Sequence, residues 1–168
     1  MKLRQRSFSR TTPRSFPPTT TRARRLSSLP VVFISIGSPA PRLEAEAFAR
    51  GEERRRIALG DFRGTWTVVA FGVRRFDALE LADLEESFAA DGAVVLATTP
   101  GDWHETESLY GSARVRFPLL TGVEETRRIT MIVDPGGVVR HVGLRRTARE
   151  TLASLERLLG AARIRSAA

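Results

Sequence analysis

The chain has 168 residues, which is enough for one domain with a hydrophobic core and short for two. Its hydrophobic content of 42% and charged content of 27% are typical of a globular protein. It contains no cysteine, which excludes disulfides, thiolate metal sites and every mechanism that needs a thiol from this chain. No apolar run in the sequence approaches the length of a transmembrane helix.

The net charge of +8 belongs to the start of the chain. Eight of the 27 basic residues lie in residues 1–30, which hold no acid, and the other 19 balance the 19 acids of residues 31–168. Prolines and the scarcity of apolar residues predict a disordered basic tail over residues 1–30. Three sharper interpretations stay open: a transit peptide, a basic arm that binds nucleic acid or anionic lipid non-specifically, and a start codon assigned too early. We favour the last of these three, with the protein beginning near Val31, because arginine outnumbers lysine 26 to 1, as in bacteria of high genomic GC content.

The predicted domain spans residues 31–162, and its first segments are short. They are an apolar run at 31–34, a proline-containing turn at 37–41, and an edge hairpin of 43–48 with 56–59 around Arg50 and Gly51. Residues 65–71 then form a bounded apolar, β-branched and aromatic run. This run predicts a strand that is buried on both faces near the centre of a sheet.

The loop after this strand leads into a predicted helix over residues 78–90. Asp77 is the expected N-terminal cap of that helix, and Glu80, three residues later, can reach back to complete a capping box. Open α/β sheets place their chemistry where a strand ends and a helix begins. We therefore expect any functional site to lie near residues 72–80.

The rest of the chain alternates strands and helices. The predicted elements are a buried strand at 93–98, a helix at 102–113, a short extended piece at 117–120, a hairpin of 129–133 with 138–142, and a last helix that Thr147 and Glu150 open and Gly160 ends. Residues 163–168 are expected to fray. This order of elements predicts a thioredoxin-like α/β fold, with a central mixed β-sheet flanked by helices.

Five segments, in order along the chain, match one known family. They are Ile-Gly-Ser-Pro-Ala-Pro at 36–41, Leu-Gly-Asp-Phe-Arg-Gly-Thr-Trp at 59–66, Glu-Leu-Ala-Asp-Leu at 80–84, Phe-Pro-Leu-Leu at 117–120, and Thr-Met-Ile-Val-Asp-Pro-Gly-Gly-Val-Val-Arg at 130–140. From Gly37 to about Leu159 the chain resembles the peroxiredoxins of the alkyl hydroperoxide reductase/thiol-specific antioxidant type. The resemblance implies a thioredoxin-like fold and an antioxidant, oxidoreductase ancestry. We expect no cofactor.

The resemblance also assigns two positions of a catalytic site. In that family, which would be thioredoxin-dependent peroxidases, a thiolate in the first turn of the helix after the central strand attacks peroxide, and an arginine helps to keep it charged. The cysteine's position falls on Asp77 and the arginine's position on Arg128. The cysteine and the proline and threonine that precede it in the family are absent, and the loop before Asp77 is shortened. We therefore expect the catalytic pocket to be remodelled or lost.

Two interpretations of Asp77 and of Arg128 stay open. Asp77 is either a functional carboxylate that pairs with Arg128 or, as its position favours, a helix cap without chemistry. Arg128 is either a remnant of an anion site or a salt-bridge partner for Glu124 or Glu125. Three arginine pairs, at 74/75, 127/128 and 145/146, either line one face or belong to a solvated surface, and the latter is the commoner case.

Other catalytic and metal-binding patterns are incomplete. His104 and His141 are the only histidines; His104 lacks the second histidine of a zinc-protease helix, and His141 is expected on the solvent face of its hairpin. Ser108 and Ser112 have no neighbouring base, so serine catalysis has no support. We predict no metal site.

The sequence thus predicts a peroxiredoxin-like domain without thiol peroxidase or disulfide reductase activity, which serves as an interaction or accessory domain. The expected partner is a second copy of the chain or another peroxiredoxin or thioredoxin-like protein, and neither specific nucleic acid nor a membrane. Two alternatives are a redox protein that works with a partner's thiol and a decayed copy. The expected location is the bacterial cytoplasm, or an organelle if the basic N-terminus is a transit peptide.

Overall fold

The computed structural model describes residues 34–49, 52–112, 115–123, 125 and 127–166. The predicted tail, most of the apolar run at 31–34, and residues Arg50, Gly51 and Glu124 lie outside the described residues.

Within those ranges the chain forms seven strands, four α-helices and one short 3-10 helix. They are β1 Glu44–Ala49, β2 Glu52–Ala58, the 3-10 helix Leu59–Phe62, β3 Trp66–Phe71, α1 Arg75–Asp83, α2 Glu85–Ala90, β4 Ala93–Thr98, α3 Trp103–Ser112, β5 Leu119–Leu120, β6 Ile129–Val133, β7 Val139–Leu144 and α4 Ala148–Ser166. The strands predicted from alternating and apolar runs are all present, including the edge hairpin of β1 and β2.

The strands form one mixed sheet in the order β2-β1-β5-β4-β3-β6-β7. Strands β3, β4 and β5 run parallel, and the pairs β1–β2, β1–β5, β3–β6 and β6–β7 are antiparallel. The parallel pairs β3–β4 and β4–β5 are connected through helices, as parallel strands require, and the antiparallel pairs β1–β2 and β6–β7 are hairpins. The predicted thioredoxin-like fold with a mixed sheet flanked by helices is confirmed.

Strand β3 is buried on both faces, as its composition predicts. Val68 and Val69 are both fully buried, and they point to opposite faces because side chains alternate along a strand. Val68 belongs to a cluster with Leu81, Phe88 and Leu155 of helices α1, α2 and α4. Val69 belongs to a second cluster on the other face of the sheet. The sheet therefore separates two hydrophobic layers. The carboxyl end of β3 leads into the turn that precedes α1.

The prediction of one helix over residues 78–90 is wrong in two respects, because the helix starts earlier and is interrupted. Helix α1 begins at Arg75, and Leu84 interrupts the run before α2. The early start has a local cause, because Gly72 adopts a left-handed conformation (φ +64°) and turns the chain sharply after β3. Arg74 is then extended and occupies the N-cap position, so Asp77 is the third residue of the helix rather than its cap.

The last helix starts as predicted and ends later. Glu150 N–H donates to Thr147 Oγ1 at 3.2 Å and Thr147 N–H donates to Glu150 Oε2 at 3.0 Å, which is the expected capping box. Helix α4 then continues through Gly160 to Ser166, so the predicted stop at Gly160 is wrong. A single exposed glycine weakens a helix without ending it. Arg163 and Arg165 of the last turn also stabilise the helix, because their positive charges lie near the negative end of its dipole.

His141 does not lie on a solvent face. In β7, His141 pairs with Ile132, which belongs to the cluster on the helix side of the sheet. The register of β7 shifts between its pairs with Ile132 and Val133, so His141 and Val139 lie on opposite faces of the sheet. Its face of the hairpin is the one that the helices cover, so the side chain is half-buried. Its Nε2 atom is buried without a hydrogen-bond partner among the described residues.

Candidate functional site

The turn that follows β3 is anchored to the neighbouring strand β4. Gly72 N–H donates to Thr98 Oγ1 at 3.4 Å, and Val73 N–H donates to the Thr98 carbonyl at 2.9 Å. Thr98 is fully buried at the end of β4 and was not predicted to take part in the site. A buried threonine at the end of a strand was the only signal for it. These two hydrogen bonds fix the direction in which α1 leaves the sheet.

Asp77 lies in the first turn of α1, at the place that the sequence indicated for a site. Its Oδ2 accepts a hydrogen bond from Arg74 N–H at 3.0 Å, and its Oδ1 accepts one from the Arg128 guanidinium. The Asp77 side chain is only 16% exposed. Asp77 thus satisfies one free N–H of the helix N-terminus and pairs with a cation at the same time. The prediction that Glu80 reaches back to Asp77 is wrong, since Asp77 itself reaches back to Arg74.

Arg128 reaches Asp77 because β6 lies beside β3. Phe71, the last residue of β3, pairs with Ile129, the first residue of β6, so Arg128 stands next to the β3–α1 turn. Glu125 is not its partner. Glu125 accepts hydrogen bonds from Arg127 Nε at 2.9 Å and Nη2 at 2.7 Å, and this bonding holds the pKa of Glu125 below its usual value. The observed partner of Arg128 is Asp77, the pairing that was considered for a functional Asp77, and the alternative pair with Glu125 is not formed. Glu124, the other expected partner, lies outside the described residues.

The ion pair forms one wall of a small cleft between α1, β6 and the start of α4. The cleft encloses about 350 Å³ with its open mouth included. Its polar lining comprises Asp77, Glu80, Arg128, Thr130, Arg146 and Thr151. Two carboxylates and two guanidiniums balance, and Arg146 is also paired with Glu150 at 3.3 Å. The cleft therefore offers no large excess of either charge.

The chemistry that this arrangement can perform follows from its atoms. A helix N-terminus and a guanidinium together stabilise an anion, and here the anion is the Asp77 carboxylate. A thiolate reduces peroxide by giving up an electron pair from sulfur, whereas a carboxylate has no such pair at an accessible potential. The site holds charge but has no two-electron reductant of its own.

The remaining predicted residues lie elsewhere. His104 is on the exposed side of α3, where its Nδ1 lies 3.9 Å from Glu107, and Ser108 is exposed on the same helix. Among the residues that the structure describes, no three His, Asp or Glu side chains are grouped so that they could hold a metal ion. In the same ranges, no helix has the length and apolar character needed to cross a bilayer.

Comparison with known proteins gives a structural likeness only. No protein-family model matches the sequence, and no curated protein does. The fold is similar to the mitochondrial 2-Cys peroxiredoxin of Plasmodium falciparum, with a TM-score of 0.62 and 15% identity over 74% of this chain and 94% of that one. The reduced 2-Cys peroxiredoxin of Plasmodium vivax gives a TM-score of 0.65 and 16% identity over 76% and 98%. AhpC of Enterococcus faecalis gives 0.68 and 15% over 76% and 94%.

These similarities extend over nearly the whole length of each relative and concern the arrangement of strands and helices, not the sequence. They agree with the fold that the five sequence segments implied. The chain therefore has the thioredoxin-like fold of the peroxiredoxins, with no cysteine anywhere in its 168 residues.

Proposed function

We propose that this chain is a peroxiredoxin-like protein that has no thiol peroxidase activity and acts as an interaction or accessory domain. The observation that carries this proposal is the ion pair between Asp77 and Arg128. A carboxylate lies in the first turn of α1, where the resemblance would put a reactive thiolate.

Three features support the loss of catalysis together. The chain has no sulfur nucleophile. The Arg128 guanidinium is bound by Asp77, so it is not free to orient a peroxide. The turn from Gly72 to Arg74 is short and bonded to Thr98, which leaves little room for the longer loop of a thiol site. A thioredoxin-like protein that keeps its packed core but lacks its reactive group can still act by binding a partner through its surface.

The partner that we propose is a second copy of the chain or another peroxiredoxin or thioredoxin-like protein, in the bacterial cytoplasm. The fold supports this choice by analogy, since a related scaffold offers matching edges and helix faces. Specific nucleic-acid binding has no support, because residues 31–168 carry equal numbers of acids and bases.

The test is a peroxide turnover assay with the full chain. Hydrogen peroxide is added with either a thioredoxin or a glutathione recycling system, and its consumption is followed with a known thiol peroxidase as positive control. We expect the rate with this chain to equal the rate without protein. Turnover above that rate would overturn the proposal.

The interaction half of the proposal has its own measurement. Light scattering of the purified chain reports self-association, and mixing it with a purified 2-Cys peroxiredoxin or thioredoxin reports a mixed complex. We expect one of the two to be present. A chain that is monomeric and binds neither protein would contradict an interaction role with these partners.

A further inference from the structure

The three arginine pairs of the sequence meet at one end of the sheet. Arg74, through its N–H, and Arg128, through its guanidinium, bind the same Asp77 carboxylate. Arg145 N–H donates to the Arg128 carbonyl at 2.7 Å. The pair 127/128 is thus hydrogen-bonded directly to the pair 145/146 and is connected to Arg74 through the Asp77 carboxylate. The arginine rim is defined here as the six residues Arg74, Arg75, Arg127, Arg128, Arg145 and Arg146.

The arginine rim is only half neutralised. Asp77, Glu125 and Glu150 pair with Arg128, Arg127 and Arg146. The other three guanidiniums, those of Arg74, Arg75 and Arg145, are exposed and make no ion pair with any carboxylate in the part of the chain that the structure describes. Glu80, which lines the cleft beside Arg128 and Arg146, is a fourth carboxylate at this end, so six arginines face four acids. This excess of two positive charges is local, since residues 31–168 are neutral as a whole.

A large aromatic side chain protrudes from the same end. Phe76 is 84% exposed and lies between Arg75 and Asp77 in the first turn of α1. Leu144 is 67% exposed, but it pairs with Ile129 of the cluster on the other face of the sheet and so does not share a face with Phe76. Aromatic rings and arginines are the side chains that protein interfaces favour, so Phe76 among unpaired arginines has the composition of an interface.

Arg145 adds a third, independent observation. It is the one non-glycine residue of the described chain with a positive φ, at 50°. A left-handed conformation is unfavourable for a residue that carries a side chain, whereas glycine adopts it freely. Strain of this kind persists where the side chain at that position has a use.

We propose that the arginine rim, with Phe76, is a docking surface for an acidic protein segment that carries apolar side chains. This inference deepens the interaction role proposed above and rests on it. Arginine and phenylalanine are enriched at protein interfaces, where the guanidinium binds carboxylates with two parallel hydrogen bonds and the ring fills a pocket of the partner.

A protein segment fits this surface better than nucleic acid or lipid. Single-stranded nucleic acid needs several aromatic rings in series, and this surface has one ring. An anionic membrane needs a larger apolar face than one side chain provides.

The experiment uses the full chain and defined probes in fluorescence anisotropy. The main probe is a labelled twelve-residue peptide of alternating glutamate and leucine. The comparison probes are a glutamate–serine peptide of equal charge, a lysine–leucine peptide, a dT oligonucleotide and phosphatidylglycerol vesicles. We expect the glutamate–leucine peptide to bind most tightly, and its affinity to fall as salt is raised.

Matched variants locate the binding. Replacing Arg74 and Arg145 by glutamate should weaken binding of the peptide about tenfold or more, and Phe76→Ser should weaken it several-fold. The control pair, Arg42→Glu with Arg63→Glu, makes the same charge change at two exposed arginines that line a separate cleft with Phe62 and Asp134, and it should leave the affinity unchanged. Circular dichroism and thermal midpoints check that each variant is folded.

Three results would overturn the proposal: no binding of the peptide, an equal loss in the control pair, or tighter binding of the oligonucleotide or vesicles. Peroxide turnover is measured on the same samples. If the chain does not consume peroxide and does not bind the peptide, only the docking surface is contradicted. If the chain consumes peroxide, the non-catalytic function is contradicted, whether or not the peptide binds.

Discussion

Arg128 donates a hydrogen bond to the Asp77 carboxylate although 51 positions separate them in the sequence. The contact joins the first turn of α1 to the start of β6, and Asp77 also accepts from Arg74 N–H at 3.0 Å. One carboxylate therefore closes a helix terminus and ties it to the sheet. The predictions that follow depend largely on this double role.

Removing the carboxylate should destabilise the fold. Asp77→Ala deletes a hydrogen bond to the helix N-terminus and an ion pair whose carboxylate, but not its guanidinium, is mostly shielded from water. We expect the free energy of unfolding to fall by about 1–2 kcal/mol, measured from the urea midpoint. Asp83→Ala is the control, because that exposed carboxylate lies at the last residue of the same helix, where a negative charge is unfavourable. An equal loss in both variants would show that Asp77 has no special role.

Replacing Asp77 by cysteine should create a reactive thiol. The chain has no other cysteine, so Asp77→Cys carries a single thiol next to Arg128 and the first turn of α1. A helix N-terminus and a nearby arginine lower the pKa of a thiol. We expect the pH dependence of alkylation by iodoacetamide to give a pKa about one unit or more below the ordinary value of about 8.5.

The matched control for that variant is Ser108→Cys, which puts a single thiol on the exposed surface of α3, beyond the first turn of that helix. Its pKa should stay near the ordinary thiol value. If the two thiols titrate together, the surroundings of Asp77 do not favour an anion, and the account of this site is wrong.

His141 should make the fold less stable in mild acid. Burial, followed by the charges of Arg146 and Arg157, lowers the pKa of His141 in the folded protein. The unfolded chain then binds a proton at a pH where the folded chain does not, so stability is lost as the pH falls below about 6.5.

The variant His141→Gln should remove that loss, which is measured as the difference in unfolding free energy between pH 7 and pH 5. His104→Gln should not, because the His104 side chain is 90% exposed. A profile that His141→Gln leaves unchanged would assign the acid sensitivity to other groups.

Gly160 should be a weak point of α4 and not its end. It lies inside the helix, and a Cβ built there meets nothing within 4 Å. Gly160→Ala should therefore stabilise the protein by up to about 1 kcal/mol, since alanine has the higher helix propensity. Ala161→Gly, its neighbour, should have the opposite effect. If Gly160→Ala destabilises, the helix ends at Gly160, as the sequence had suggested.

The strands were predictable and the helix starts less so, for physical reasons. Apolar runs such as residues 65–71 fix a buried strand by composition alone, and the Thr147–Glu150 capping box is a local signal. The start of α1 depends on the left-handed turn at Gly72 and on hydrogen bonds to Thr98, which lies 26 residues away. A local pattern cannot include such a contact, so the cap was assigned three residues too late.

In the site, too, single positions were predictable from the sequence, whereas contacts between distant residues were not. Asp77 and Arg128 were both picked out, because a resemblance to a known family assigned their positions. Their pairing depended on β6 lying beside β3, and the choice between Glu125 and Asp77 as partner of Arg128 could not be made until Glu125 was seen bound to Arg127. The buried side of His141 was missed because the helices cover the face that looked solvated.

The central claim is that the fold holds a carboxylate where a peroxide-reducing thiolate would be needed. The most direct test mixes the full chain with an equal amount of hydrogen peroxide, without any reductant, and follows residual peroxide over time. We predict that peroxide disappears no faster than in buffer alone. A loss of peroxide that is proportional to protein concentration would contradict the account.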